Sequence, residues 1–265
     1  MGEDVTTPAQ AEASCDAYLG IVDALRARAA APAAGAEAGV DNNLSLKLTQ
    51  LGLAVEAALC ARLLRRILDR AAVRPAPDGA PMFVRIDMES SAHTEATLAL
   101  FETLWAEGRR NVGVVIQAYL YRSAADADRL NVLGARIRLV KGAYDEPPSV
   151  AYPGKRDVDA AFARLAGTLL RGGVYPAIAT HDERLIDHVC RAAAAAGIAA
   201  NRFEFQMLYG IRRDLQAALR RRGYRVRVYV PFGEEWYPYF MRRLAERPAN
   251  VGFVLRSLLQ ERASG

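Results

Sequence analysis

The sequence predicts an α/β fold, a (β/α)8 barrel of the TIM type in which only seven strands are evident. Two observations favour this class. Short β-branched runs alternate with helix-length segments, which is typical of a parallel sheet. Each run also ends in or near a polar side chain, and a barrel gathers the carboxyl ends of all its strands into one rim. An open doubly wound sheet would concentrate its site at a single switch point instead.

The strands and helices follow one another in a regular order. An Ala-rich helix over about 8–30 leads through an Ala- and Gly-rich linker to the first apolar run. The apolar runs predict strands at 44–48, 82–88, 112–118, 137–142, 175–181, 202–208 and 225–231. Helical periodicity predicts the intervening helices at about 53–72, 93–108, 123–135, 157–171, 183–196 and 211–222.

Loops and overall composition complete this prediction. The segments "RPAPDGAP" and "DEPPSVAYPGK" are rich in Pro and Gly and mark loops. The near-continuous apolar strands indicate that both faces of the sheet are covered. Because no change of composition divides the chain, we expect a single domain over residues 1–265.

Charge and cysteine content restrict the class of protein. The net charge is +5, but the basic residues are spread along the chain, so we expect no nucleic-acid partner. Cys15, Cys60 and Cys190 form no CxxC motif and are expected to be buried thiols in a reducing compartment. The polar N-terminus is not typical of a signal peptide, and no apolar run could span a bilayer. We therefore expect a cytoplasmic protein, with peripheral contact to the inner membrane compatible with its charge.

Polar or reactive residues mark the ends of all seven predicted strands: Lys47, Asp87, Gln117, Lys141, His181, Gln206 and Tyr229. Lys47 lies within an apolar run, where an ammonium group is costly unless it is paired. Asp87 is interpreted as the partner of a rim cation, because the Ser and Thr residues after it can cap the next helix. The sequence contains neither GxGxxG nor GxxxxGK[ST], so a nucleotide would not be held by either of those loops.

The segment "IRLVKGAYDE" combines several groups suited to a ligand. Gly142 would let the backbone approach a flat ligand closely. Lys141 could be a Schiff-base nucleophile or a salt-bridge partner, and both interpretations stay open. Thr180 and His181 precede a helix, where phosphate groups bind well.

The segment "YPYFMRRLAE" aligns Tyr239, Arg242, Arg243 and Glu246 on one helix face. The face is either solvated or a clamp in which the arginines, with Lys47, hold a carboxylate. Three tyrosines of the chain could wall an apolar ligand or belong to ordinary core, namely Tyr144, Tyr229 and Tyr239.

Eight segments, in order, cover nearly the whole chain: "LSLKLTQLGL", "VRIDMESS", "VGVVIQAYLYRS", "RLVKGAYDEPP", "IATHDERLI", "FEFQMLYGIR", "VRVYVPFGEEWYPYFMRRLAERPAN" and "VGFVLRSLL". Together they resemble the proline dehydrogenase family, and the sequence is most similar to the short monofunctional bacterial form. The resemblance implies a distorted (β/α)8 barrel with noncovalently bound FAD at the rim and the last barrel helix over the mouth.

The resemblance also implies roles for individual residues. Asp87 would hold the cation network, and Arg138 would lie beside the flavin N5. The substrate residues would be Lys47, Tyr144, Leu208, Tyr229, Tyr239, Arg242 and Arg243. The remaining FAD contacts would be Met88, Gln117, Lys141, Gly142, Ala143, Thr180, His181 and Gln206. Glu3 would close the site by pairing with Arg242, and Glu246 would orient an arginine.

The implied reaction is the oxidation of L-proline to Δ1-pyrroline-5-carboxylate, with electrons passed to a membrane quinone. Pyrroline-5-carboxylate dehydrogenase would be the functional partner. The family usually carries an additional helix and a first barrel strand ahead of the position matched by Glu3, which explains a count of seven strands. Without that strand two neighbouring strands would have unpaired edges. A Schiff-base barrel using Lys141 and a non-catalytic barrel fragment remain alternatives.

Overall fold

The computed structural model of the chain describes residues 5–30, 43–73 and 80–233. The side chains of residues 29 and 30 are not described. Several predicted site residues lie outside the described residues, namely Glu3, Tyr239, Arg242, Arg243 and Glu246. The helix predicted over the barrel mouth falls there too.

Helices and strands alternate through the described residues as the sequence predicts. The helices are α1 (Pro8–Ala30), α2 (Ala57–Ala72), α3 (Ser91–Ala106), α4 (Ser123–Val132), α5 (Lys155–Gly172), α6 (Glu183–Ala195) and α7 (Arg213–Arg221). The strands are β1 (Asn43–Leu46), β2 (Phe83–Ile86), β3 (Val112–Gln117), β4 (Ile137–Val140), β5 (Ala177–Ala179), β6 (Glu204–Leu208) and β7 (Arg225–Tyr229). Short 3-10 turns occupy Thr49–Leu51 and Ala200–Arg202.

The strand order of the sheet is β1 to β7, and the pairs β1–β2, β2–β3, β4–β5, β5–β6 and β6–β7 are parallel. A helix connects each strand to the next, which is the arrangement of the α/β-barrel class. The predicted fold class is therefore confirmed, with seven strands among the described residues.

The predicted elements are confirmed, and their ends differ by a few residues. The helix α2 begins four residues later than predicted, at Ala57, and β5 is shorter at both ends, since the prediction covered 175–181 and the strand spans only Ala177–Ala179. Pro176 has no backbone N–H to donate to a neighbouring strand, and Tyr175 has a positive φ of 51°. Both features delay the start of the strand.

Contacts divide the chain into two compact units, with the boundary between Val115 and Ile116. The prediction of one domain over residues 1–265 stays a prediction. In the first unit, α1 packs on α2. The buried face of α2 consists of Leu59, Cys60, Leu63, Leu64, Ile67, Leu68 and Ala71, spaced as expected for an amphipathic helix.

In the second unit, β4 to β7 form a continuous register. Leu139 lies opposite Ile178, Ile178 opposite Phe205, and Phe205 opposite Val226. Most of these side chains are buried, with α5 and α6 packed against each other nearby in the same unit. The three cysteines are free and buried, as predicted.

Two absences can be stated for the described part of the chain. No described helix combines the length and the apolarity that a bilayer crossing requires. Among the same residues, no group of three or more His, Cys, Asp or Glu side chains could hold a metal ion.

Candidate active site

In the first unit, the ends of β1 and β2 place Lys47 and Asp87 at the same edge of the sheet. Lys47 directly follows β1, and Asp87 directly follows β2. The backbone N–H of Asp87 donates to the carbonyl of Leu46 over 2.8 Å, which extends the strand pairing by one residue. Both side chains are half-buried, and the neighbouring Met88 is buried.

The capping expectation for the next helix is only partly correct. Ser90 occupies the N-cap position of α3, but its side chain makes no capping hydrogen bond. The carbonyl oxygen of Ser90 instead accepts from the backbone N–H of His93 over 2.9 Å. The predicted hydroxyl cap is therefore wrong, and the helix begins at Ser91, two residues before the predicted start.

A buried polar cluster next to Lys47 was missed by the sequence analysis. Thr49 donates to the Glu89 carboxylate through its backbone N–H over 3.1 Å and through its hydroxyl over 2.6 Å. The hydroxyl of Tyr18, on α1, donates to Oε1 of Gln50. Only the position of Glu89, three residues after the buried strand β2, could have drawn attention to this cluster.

In the second unit, Gln117 ends β3 with its side chain buried. Its Oε1 has no hydrogen-bond partner among the described residues. Beyond it the strand pairing continues, because Ala118 and Tyr119 donate from their backbones to the carbonyls of Val140 and Lys141 over 2.8 and 2.9 Å. An orphaned buried acceptor at a strand end suits a ligand that carries an N–H group.

Lys141 follows β4 and is held between two carboxylates. Its Nζ lies 2.5 Å from Oδ1 of Asp159 on α5 and 2.9 Å from Oδ2 of Asp182, the N-cap residue of α6. Burial is the largest single influence and raises the pKa of each carboxyl group, but the hydrogen bonds to it and the positive charges of Lys141 and Lys155 together outweigh burial. Both pKa values therefore fall below their usual range. These contacts favour the salt-bridge interpretation of Lys141 over the Schiff-base one.

Gly142 needs to be glycine for a reason that the sequence did not reveal. Its φ is +112°, and a Cβ at this position would lie 2.3 Å from Cδ1 of Tyr119. The close approach is therefore made by a side chain of the protein itself. Ala143 and Tyr144 follow Gly142 and are half-buried.

His181, at the end of the β5 segment, is neutral in the folded protein. Its Nε2 accepts the backbone N–H of Leu208 over 2.9 Å. Burial, assisted by the positive charge of Arg212, lowers the pKa of His181 to about 4. Since Nε2 is an acceptor and the ring is neutral, the proton resides on Nδ1, which is then available as a donor. The neighbouring Thr180 accepts the N–H of Asp182 at its hydroxyl over 3.1 Å and keeps its own proton to donate.

Deeper in the second unit, Gln206 contacts a buried charge pair. Its Nε2 donates to Oε1 of Glu204 over 2.5 Å, and Arg227 binds both carboxylate oxygens of Glu204 over 2.8 and 2.9 Å. Glu204 also accepts a hydrogen bond from the hydroxyl of Tyr175 over 3.3 Å. Both oxygens of the Glu204 carboxylate therefore accept hydrogen bonds.

Arg138 and Tyr229 meet in the same unit. Arg138 is buried on β4, and its guanidinium carbon lies 5.4 Å from the ring centroid of Tyr229 on β7. This is within the range of a cation–π contact. Leu208 lies opposite Tyr229 in the strand register.

The structure thus places the predicted site residues in two groups. Lys47, Asp87 and Met88 belong to the first unit, at the carboxyl ends of β1 and β2. The second unit brings the others to the carboxyl ends of β3 to β7, or just inside them: Gln117, Arg138, Lys141, Gly142, Ala143, Tyr144, Thr180, His181, Gln206, Leu208 and Tyr229. The partners Asp159 and Asp182 were missed, although the N-cap position of Asp182 in "THDE" was a usable signal.

Comparison with known proteins settles the family. The family model for proline dehydrogenase matches residues 1–256. The chain belongs to the proline dehydrogenase family. A curated "Proline dehydrogenase" of Deinococcus radiodurans is 43% identical over 264 residues, which are 98% of this chain and 80% of that protein. "Proline dehydrogenase 1" of Bacillus subtilis subsp. natto is 47% identical over 226 residues, covering 85% of this chain and 72% of the relative.

Solved structures agree with this assignment to a family of oxidoreductases. Proline utilization A from Bdellovibrio bacteriovorus, inactivated by N-propargylglycine, superposes with a TM-score of 0.81 and 27% identity. The match covers 92% of this chain but only 29% of that much longer protein. The proline dehydrogenase fold therefore corresponds to one part of that longer chain.

Proposed function

We propose that this member of the proline dehydrogenase family oxidises L-proline to Δ1-pyrroline-5-carboxylate. The observation that carries the proposal is the match of the proline dehydrogenase family model over residues 1–256. The positions of the polar residues at the strand ends support it, because a barrel fold builds its chemistry at that rim.

We propose FAD as the cofactor, and the groups of the second unit fit it. Gln117 contributes a buried acceptor that lacks a partner among the described residues. Lys141, Thr180 and the Nδ1–H of His181 are donors suited to ring carbonyls or phosphate oxygens. The residues proposed to hold FAD are Met88, Gln117, Arg138, Lys141, Gly142, Ala143, Thr180, His181 and Gln206.

Bound FAD would supply the oxidation by accepting a hydride from the ring carbon beside the proline nitrogen. The chain's own contribution is orientation and charge. Lys47, Arg242 and Arg243 are proposed to bind the proline carboxylate, since guanidinium forks hold carboxylates with two hydrogen bonds. Asp87, at the same edge of the sheet in the first unit, is proposed to hold the cation network in place.

The ring of proline needs an apolar wall. The side chains proposed to form it are Tyr144, Leu208, Tyr229 and Tyr239. Arg138, which stacks on Tyr229, would place its positive charge beside the flavin ring. Glu3 is proposed to pair with Arg242 and exclude water when substrate is bound.

The fate of the electrons and product extends the proposal. We propose that a membrane quinone takes the electrons and that pyrroline-5-carboxylate dehydrogenase consumes the product. The net charge of +5 supports weak peripheral contact of a cytoplasmic protein with an anionic inner-membrane surface. No nucleic-acid partner is proposed.

A visible absorption spectrum of the purified protein tests the proposal. We expect a flavin spectrum that L-proline bleaches and D-proline does not. Arg242→Ala and Arg243→Ala should each raise the KM for proline by about two orders of magnitude, since each removes one charged hydrogen-bonding partner. Arg221→Ala, at the exposed end of α7, is the matched control. Colourless protein that FAD cannot reconstitute would contradict the proposal, and borohydride trapping of substrate on Lys141 would favour the Schiff-base alternative.

A further inference from the structure

Four buried polar side chains surround the backbone that follows Lys47, and we name them the buried brace: Tyr18, Thr49, Gln50 and Glu89. Their exposed fractions are 4%, 4%, 9% and 5%. They come from three separate segments, namely α1, the 3-10 turn after β1 and the segment after β2. Burying four polar side chains together costs more free energy than burying four apolar ones, which indicates that these groups have a specific role.

Glu89 is the most costly member of the brace. Its carboxylate accepts two hydrogen bonds, both from Thr49, and no ion pair of Glu89 occurs within residues 5–30, 43–73 and 80–233. A buried carboxylate without a cation destabilises a fold unless its hydrogen bonds are good. The short bond of 2.6 Å from the Thr49 hydroxyl meets that condition.

The geometry of these bonds joins the two segments that carry Lys47 and Asp87. Thr49 lies two residues after Lys47, and Glu89 lies two residues after Asp87. The Thr49–Glu89 bonds therefore fix the end of β1 to the end of β2 beyond the last bond of the strand pairing, which runs from Asp87 to Leu46.

Tyr18 holds the same backbone from the side of α1. Its hydroxyl donates to Gln50 and also makes a hydrogen bond with the backbone of Lys47. The pKa of Tyr18 is raised well above its usual range, chiefly by burial, with the negative charges of Asp87 and Glu89 adding to it. The hydroxyl therefore stays protonated near neutral pH and can donate its hydrogen bond there.

We propose that the buried brace positions Lys47 for the substrate carboxylate by fixing its backbone from two sides. The inference rests on the proposed oxidation of proline, in which Lys47 binds that carboxylate. The brace acts through Lys47 and is not itself expected to touch substrate. A lysine placed on a rigid strand end loses less conformational freedom when substrate binds. We therefore expect the brace to raise the affinity for substrate.

The test compares near-isosteric variants of the brace. Thr49→Val and Tyr18→Phe each remove one hydroxyl and keep the shape, and Thr49→Ser keeps the hydroxyl. Glu89→Gln removes the charge and replaces one of the two oxygens that accept from Thr49 with an NH2 group. The matched control is Glu56→Gln, an exposed residue at the start of α2 with no capping hydrogen bond from its side chain.

We expect Thr49→Val, Tyr18→Phe and Glu89→Gln each to raise the KM for L-proline about tenfold, with kcat within about twofold of wild type. Flavin content per chain should stay unchanged, and amide hydrogen exchange at residues 47–51 should become faster. Thr49→Ser should restore the wild-type KM, and Glu56→Gln should behave as wild type in every measurement.

Different outcomes overturn different claims. If the wild-type protein bleaches with L-proline and the brace variants keep its KM, the positioning role is wrong while the proposed function stands. If the variants lose flavin or stability and the remaining active fraction has the wild-type KM, the brace is purely structural. If the wild-type protein does not oxidise proline at all, the proposed function fails, and the role of the brace fails with it.

Discussion

Replacing His181 should remove a specific part of the loss of folding stability that this protein shows at acid pH. The ring is neutral, accepts the N–H of Leu208 and has a pKa lowered to about 4 from an ordinary value of 6.5. Between these two pH values the unfolded chain binds a proton that the folded chain does not. Stability is therefore complete above pH 6.5 and falls as the pH drops toward 4.

The size of the effect follows from the two pKa values. At pH 5.5 the unfolded histidine is about ten times more often protonated than neutral, so the free energy of unfolding falls by RT ln 11, about 1.4 kcal/mol. At pH 7.5 the same contribution is only about 0.1 kcal/mol. Through His181, the free energy of unfolding of the wild-type protein should thus fall by about 1.3 kcal/mol between pH 7.5 and 5.5. A variant without this histidine should not show that part of the decrease.

Urea unfolding of the full chain with saturating FAD, at pH 7.5, 6.5 and 5.5, measures this difference. His181→Gln is the informative variant, because its amide oxygen can still accept the Leu208 N–H but cannot be protonated in this range. His188→Gln, an exposed position on α6, is the matched control and should keep the wild-type pH dependence. If His181→Gln loses as much stability as wild type between pH 7.5 and 5.5, the neutral, buried state of His181 is refuted.

Two further predictions concern the second unit. Gly142→Ala should lower the free energy of unfolding by at least about 2 kcal/mol, because the new side chain combines a positive φ with a clash against Tyr119. Gly197 is the control, because its φ is also positive, at +66°, but a Cβ there would meet no neighbouring atom. Gly197→Ala should lower the free energy of unfolding by only about 1 kcal/mol in the same urea titration. Arg227→Met should cost about 3–5 kcal/mol because it removes a cation that binds both oxygens of the buried Glu204 carboxylate. Adding Glu204→Gln to that variant should recover part of the loss, and a double variant as unstable as the single one would contradict the pairing.

Much of the fold could be predicted because periodicity is a local property of the sequence. The apolar face of α2 and the strand runs of β3 and β6 are visible residue by residue. The start of β5 could not be placed as well, since Pro176 and the positive φ of Tyr175 shorten it within an apolar run. The strand order needed no long-range information, because helical connections between parallel strands favour neighbours in sequence.

The candidate site was less accessible to sequence reasoning because partners come from distant segments. Lys141 was a recognisable candidate, but Asp159 and Asp182, its partners on α5 and α6, gave no pattern that linked them to it. Gly142 was predicted to be important for a ligand, and the contact that explains it is with Tyr119. The pairing of Thr49 with Glu89 joins residues forty positions apart, so only coordinates could identify it.

Bonds within the protein fix the groups of the second unit that are proposed to bind FAD, and this has a consequence for the proposed catalysis. Asp182 caps α6 through the N–H of Arg184 and also binds Lys141, so a single carboxylate ties the end of β4 to the start of α6. The Leu208 N–H fixes the ring of His181 in the same way. Groups that are already oriented lose little freedom when a ligand binds, and a site of this kind stabilises developing charge without reorganising. The same bonds make the site dependent on ionised carboxylates, because the lowered pKa of Asp182 means that its contribution to stability is present near neutral pH and is lost as acid protonates it.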